Sequence, residues 1–112
     1  MTKSHVRARP FCFALFALLV APAQAVAQTA FDPAQVAAGE EVYRDYCWTC
    51  HGEGLRSTAG VTFDLRRLRA ADHDRFVNSV LDGKGQMPPW RGALTMVQIE
   101  AVWAYIRATV DR

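Results

Sequence analysis

Two cysteines and a histidine, in Cys47-Trp48-Thr49-Cys50-His51, are the residues of this chain best suited to chemistry. Thiols at this spacing serve three purposes. They cycle as a dithiol/disulfide pair, form half of a zinc site, or, with a histidine beside the second thiol, attach a c-type haem. A thioredoxin-like pair belongs in a βαβ unit, and no run of strand period flanks these residues. A closed zinc site needs four ligands, and downstream of the N-terminal apolar run His73 is the one further histidine. Haem attachment uses all three residues. The two thiols meet the two vinyl groups on one porphyrin edge, and the adjacent histidine then lies under the iron as its proximal ligand.

Iron held on one side by His51 needs a second axial ligand, and the candidates are Met87, Met96 and His73. Met87 lies in Asp82-Gly83-Lys84-Gly85-Gln86-Met87-Pro88-Pro89-Trp90, where glycines let the backbone turn toward a flat cofactor and two prolines stiffen it. A loop of this kind can hold a thioether against iron, and methionine/histidine ligation is an established c-type arrangement. Met96 reads as the first residue of a helix, and His73 follows an apparent N-cap in a polar, solvated first turn.

Three segments carry a family resemblance: Cys47-Trp48-Thr49-Cys50-His51-Gly52, Gly83-x-Gly85-x-Met87-Pro88-Pro89-Trp90 and Trp103-Ala104-Tyr105-Ile106. Together they resemble a monohaem class I cytochrome c over about Phe31 to Arg112. In Phe63-Asp64-Leu65-Arg66-Arg67 and Gln86-Met87-Pro88-Pro89-Trp90 the chain is similar to short bacterial c-type cytochromes and haem domains associated with quinoprotein alcohol dehydrogenases. The resemblance implies an all-α fold with three main helices around one covalent haem c, its N- and C-terminal helices crossing. It implies attachment at Cys47 and Cys50, iron ligation by His51 and Met87, and a pocket that includes Phe63, Leu65, Arg66, Pro88 and Trp90. One position departs from the pattern. Many relatives carry proline where Phe63 stands, and the carbonyl there receives the proximal histidine's Nδ1–H. Any residue supplies a carbonyl, so His51 can still be oriented in this way, but the stiffness of a proline is missing.

The elements that must position these groups are helical. Asp32 is a good N-cap, with Pro33 at the first helical position and Gln35 three residues on, opening a helix toward Tyr46. Val36, Gly39 and Tyr43 share one face of it. A glycine there is costly unless another backbone approaches closely, and in the family that neighbour is the C-terminal helix. A middle helix from about His73 to Asp82, capped by Asp72, presents Phe76, Val77, Val80 and Leu81 and stops at Gly83. Thr95 with Gln98 forms a capping box, Leu94 and Ile99 occupy hydrophobic-staple positions, and Ile99, Val102, Trp103, Ile106 and Val110 form one stripe. Arg56 to Val61 has neither period nor caps, so we expect it to be poorly ordered without cofactor.

Lys3, Arg7 and Arg9 precede an apolar run from Phe11 to Val20, and small-x-small sites follow at Ala23-Gln24-Ala25 and Ala25-Val26-Ala27. This reads as a cleaved signal peptide over residues 1–27, because the run is about half of the roughly 20 residues a membrane span needs. Cys12 sits inside the run and would leave with it. The expected product is a soluble periplasmic domain, 28–112, without stable membrane insertion. The full chain of 112 residues carries 13 basic and 11 acidic residues. Removing the leader leaves ten basic against eleven acidic, a net charge of −1 with no basic stripe for nucleic acid.

No paired carboxylates, nucleophile beside a base, or phosphate-cradling loop are organised in this sequence, so we expect no enzyme. With both axial positions filled, iron exchanges single electrons rather than activating substrates. The expected function is electron transport, from a dehydrogenase such as a quinoprotein alcohol dehydrogenase toward a terminal oxidase. The alternative is a haem c enzyme or ligand sensor with an open sixth position. Arg66 or Arg67 offers a guanidinium for a cofactor carboxylate, Trp90 would flank the methionine side, and Lys84, Gln86 and Arg91 would face a partner.

Overall fold

The computed structural model describes Met1, residues 31–57, Gly60 and residues 62–112. Residues 2–30, which include the apolar run and small-residue sites of the expected leader, lie outside the described residues, as do positions 58, 59 and 61 within the stretch expected to be poorly ordered. Helix α1 spans Pro33–Tyr46, α2 is the single turn Trp48–His51, α3 spans His73–Asp82 and α4 spans Met96–Val110. Short 3₁₀ turns lie at Glu53–Leu55, Leu65–Arg67 and Ala70–Asp72. Among the described residues there is no strand, only isolated bridges pairing Lys84 with Met87 and Arg91 with Leu94.

The ends of α1 and α4 follow the capping chemistry of their sequences. The Asp32 carboxylate accepts the N–H of Ala34 at 2.9 Å, with Pro33 opening α1. Thr95 and Gln98 form the reciprocal capping box of α4. Asp72 departs from expectation. It stands at the N-cap of α3 but makes no side-chain cap bond, because its carboxylate accepts instead from the backbone N–H of Arg69 at 2.8 Å and closes the preceding 3₁₀ turn. The Arg69 guanidinium beside it holds that carboxyl down at about 2.

Helices α1 and α4 cross in close contact. A methyl group on Gly39 would stand 1.8 Å from the Ala101 carbonyl oxygen, so the glycine is what lets the two backbones approach. Around this crossing Tyr43, Leu55, Ile99 and Ile106 are fully enclosed, each aliphatic side chain contributing about 1.5–3 kcal/mol of burial. Leu65, Leu68, Phe76, Val80, Leu94, Val102 and Trp103 complete the cluster. Val77, Leu81 and Val110 pack against its edge. α3 ends at Gly83, whose φ of 75° suits glycine and whose missing side chain leaves room for the Met87 carbonyl, 2.6 Å from where a Cβ would be.

Candidate functional site

Cys47, Cys50, His51 and Met87 line a single cavity of about 570 Å³, within the ~300–1,000 Å³ typical of cofactor sites. Cys47 ends α1 and begins α2, so helical geometry alone fixes its distance from Cys50 and His51. Two bonds to Tyr43 bracket this turn. The Cys47 N–H donates to the Tyr43 carbonyl at 2.9 Å, and the buried Tyr43 hydroxyl donates to the Gly52 carbonyl at 2.6 Å. Burial, together with neighbouring Cys47 and Tyr105, pushes the Tyr43 phenol well above its usual range, so it stays a donor.

His51 Nδ1 stands 3.2 Å from the Phe63 carbonyl. A carbonyl only accepts, so Nδ1 carries the hydrogen and Nε2 keeps a free lone pair. Burial lowers the His51 pKa, opposed by that same hydrogen bond, which favours the neutral imidazole a metal requires. The Cys47 thiol is pushed up to about 11, first by burial and then by Cys50, whereas Cys50 lies exposed at the rim.

Met87 also lines the cavity, on a loop held by its backbone. Lys84 and Met87 exchange reciprocal N–H···O bonds of 3.0 Å, while Trp90 N–H donates to Val80 at 2.9 Å and Arg91 N–H to Leu81 at 3.2 Å. The loop is thus fastened both to itself and to the end of α3. Trp90, half-buried, meets Tyr46 edge to face at 5.6 Å between ring centres.

Of the remaining sequence candidates, Phe63, Leu65 and Pro88 line the cavity with Trp90, and so do Lys84 and Gln86. Arg66 does not. Its guanidinium is engaged by Asp64, at 2.9 Å through Nε and 2.5 Å through the terminal nitrogen. Arg67 also lies outside the lining. Arg91 is also outside the lining and pairs with Asp82 at 2.5 Å. The arginine that does line the cavity is Arg75, a residue with no sequence motif to mark it.

The rival axial ligands are elsewhere. Met96 is exposed and outside the cavity lining. His73, expected in a solvated first turn, instead places Nε2 at 2.9 and 3.1 Å from the Glu100 carboxylate of α4 and lies edge-on to Trp103. Among the described residues no three His, Cys, Asp or Glu side chains gather as a metal site. The cavity floor is apolar, built from Leu65, Leu68, Phe76, Val80, Ile99 and Ile106. A largely apolar cavity lined by an imidazole, a thioether and two thiols offers a donor set suited to a flat iron macrocycle.

The family model for cytochrome c oxidase, cbb3-type, subunit III matches residues 34–106. The chain is 34% identical over 77 residues to quinohemoprotein alcohol dehydrogenase ADH-IIG of Pseudomonas putida, covering 67% of this chain but 11% of that protein. It is 31% identical over 111 residues to the Cbb3-type cytochrome c oxidase subunit CcoP of Rubrivivax gelatinosus, 95% of this chain and 34% of the subunit. Over 77 residues it is 35% identical to cytochrome c6 of Leptolyngbya boryana, 65% of this chain and 91% of that protein. The chain therefore spans a small part of the dehydrogenase and nearly all of the cytochrome c6. Among solved structures none matches.

Proposed function

This chain belongs to the cytochrome c family and is an electron-carrier domain that takes haem c, and from that premise we propose a periplasmic one-electron carrier with Cys47 and Cys50 as the attachment points and His51 and Met87 as the axial ligands. When bound, the haem iron supplies a one-electron couple. The chain's own residues do the rest. Phe63 holds the His51 tautomer, the Lys84–Met87 turn holds the thioether, and the apolar floor excludes water. Methionine ligation and burial both favour the less charged, reduced form and so raise the potential.

The observation that carries this reading is the convergence of Cys47, Cys50, His51 and Met87 on one cavity from whose lining both His73 and Met96 are missing. Periplasmic placement is supported by the leader at residues 1–27. Among the described residues no helix is long and apolar enough to cross a membrane. A quinoprotein alcohol dehydrogenase as donor and a terminal oxidase as acceptor are supported by the names of two relatives, ADH-IIG and CcoP.

Carbon monoxide tests the ligand assignment. The reduced wild-type protein should bind it poorly, Met87→Ala should bind it readily and lose potential, and Met96→Leu and His73→Ala should behave as wild type. Ready binding by the wild type would favour the sensor or enzyme reading with an open sixth position.

A further inference from the structure

Phe63 belongs to no helix and is 43% exposed, yet among the described residues its carbonyl is the hydrogen-bond partner of His51 Nδ1. That bond, at 3.2 Å, is at the long limit for N–H···O, so small shifts of residue 63 decide whether it persists. What covers the Phe63 ring is Arg75, from the first turn of α3, with its guanidinium carbon 5.3 Å from the ring centre. Arg75 is itself steadied. Its Nε lies 3.7 Å from the Asp72 carboxylate, the same carboxylate that the Arg69 backbone N–H fixes at 2.8 Å.

We infer that Arg75 is a positioning residue for His51, acting through the Phe63 ring: the guanidinium, paired with Asp72, packs over the ring and helps keep residue 63 where its carbonyl receives the imidazole N–H. An ordered helix end thereby supplies the stiffness that the irregular segment before Leu65 lacks. A cation over an aromatic face suits this task, because the attraction tolerates lateral motion of the guanidinium while opposing lift of the ring. The inference rests on His51 as an iron ligand.

Arg75 also lines the cavity, so a direct influence on the bound group must be separated from an influence through Phe63. The measurement is solvent exchange of the His51 ring N–H in the oxidised holoprotein, where an axial imidazole proton is shifted outside the ordinary NMR range. Arg75→Leu should speed exchange about two- to fivefold, the ratio set by an exposed cation–π contact of about 0.5–1 kcal/mol. Arg75→Lys, which keeps a cation over the ring, should restore most of the protection. In a Phe63→Leu background, Arg75→Leu should leave the rate unchanged. Should Arg75→Leu fail to fold, Arg75→Gln carries the same expectation.

Unchanged exchange in Arg75→Leu, or equal acceleration in both backgrounds, would overturn the role through Phe63. Absence of any shifted ring N–H in the wild type would instead overturn the ligand assignment of His51 itself, and the positioning role with it.

Discussion

Gly39 of α1 and Ala101 of α4 meet backbone to backbone, with space for a hydrogen and none for a methyl group. The atoms opposing a Cβ at position 39 are the Ala101 carbonyl oxygen and carbon, which cannot rotate away as a side chain could. Gly39→Ala should therefore destabilise the protein by about 3 kcal/mol, the upper end for overpacking, despite alanine's better helix propensity. Urea unfolding of wild type and variant measures this, and a stabilised variant would mean that the helices do not cross here.

Attachment predicts a mass. Protein made in a host with haem-maturation machinery and then denatured should carry one haem per chain, on a polypeptide beginning near Gln28. Cys50→Ala should retain the group through Cys47 alone, whereas loss of both thiols should release it into acidified organic solvent. Unmodified apo mass in the wild type would exclude covalent attachment.

His73 and Glu100 predict a pH dependence. Hydrogen bonding to Glu100, with a smaller part from Asp74, raises the His73 pKa from 6.5. The folded chain thus binds this proton more tightly than the unfolded chain does. The stabilisation is complete below pH 6.5 and disappears as pH rises through the folded value above it. Both side chains are more than a third exposed, at 37% and 38%, so the effect is discounted to about 0.2–1 kcal/mol. Urea midpoints taken at about pH 5.5 and about pH 8.5 should differ more in wild type than in Glu100→Gln. Equal slopes would show that the pair contributes nothing.

The partner assignment predicts a kinetic effect. Residues 28–112, the proposed mature domain, carry ten basic and eleven acidic residues, a net charge of −1 that gives little long-range steering, so encounter with a dehydrogenase should depend only modestly on salt. Trp90→Ala or Lys84→Glu should slow reduction by a pyrroloquinoline-quinone alcohol dehydrogenase severalfold in stopped flow, with the potential unchanged. Reduction no faster than by an unrelated redox enzyme would remove alcohol oxidation while leaving the carrier function intact.

The helices were legible in the sequence because local chemistry and packing agree there. Asp32 with Pro33, Thr95 with Gln98, and Gly83 mark ends that the structure keeps, and Gly39 announced its close neighbour. Arginines were not legible. Arg66, Arg69, Arg75 and Arg107 look alike in sequence, but their partners are set by the irregular path from Phe63 to Asp72. Arg66 turns to Asp64 and Arg75 covers Phe63. Arg107, buried within α4, reaches back to the Leu68 carbonyl at 2.5 Å. No periodicity encodes a contact between positions 68 and 107. Asp72 shows the same limit at short range, since either α3 or the turn before it can use its carboxylate, and the turn does.

The fastening of the Met87 loop bears on speed as well as structure. Electron exchange slows when surroundings must rearrange with each change of charge, and fixed groups avoid that reorganisation. The Lys84–Met87 turn, tied back to Val80 and Leu81 by backbone bonds, gives the proposed thioether ligand little freedom to shift. His51 is oriented by one longer bond, 3.2 Å to the Phe63 carbonyl. A carrier built this way should show rapid self-exchange between its oxidised and reduced forms, with its ligands in nearly the same place in both.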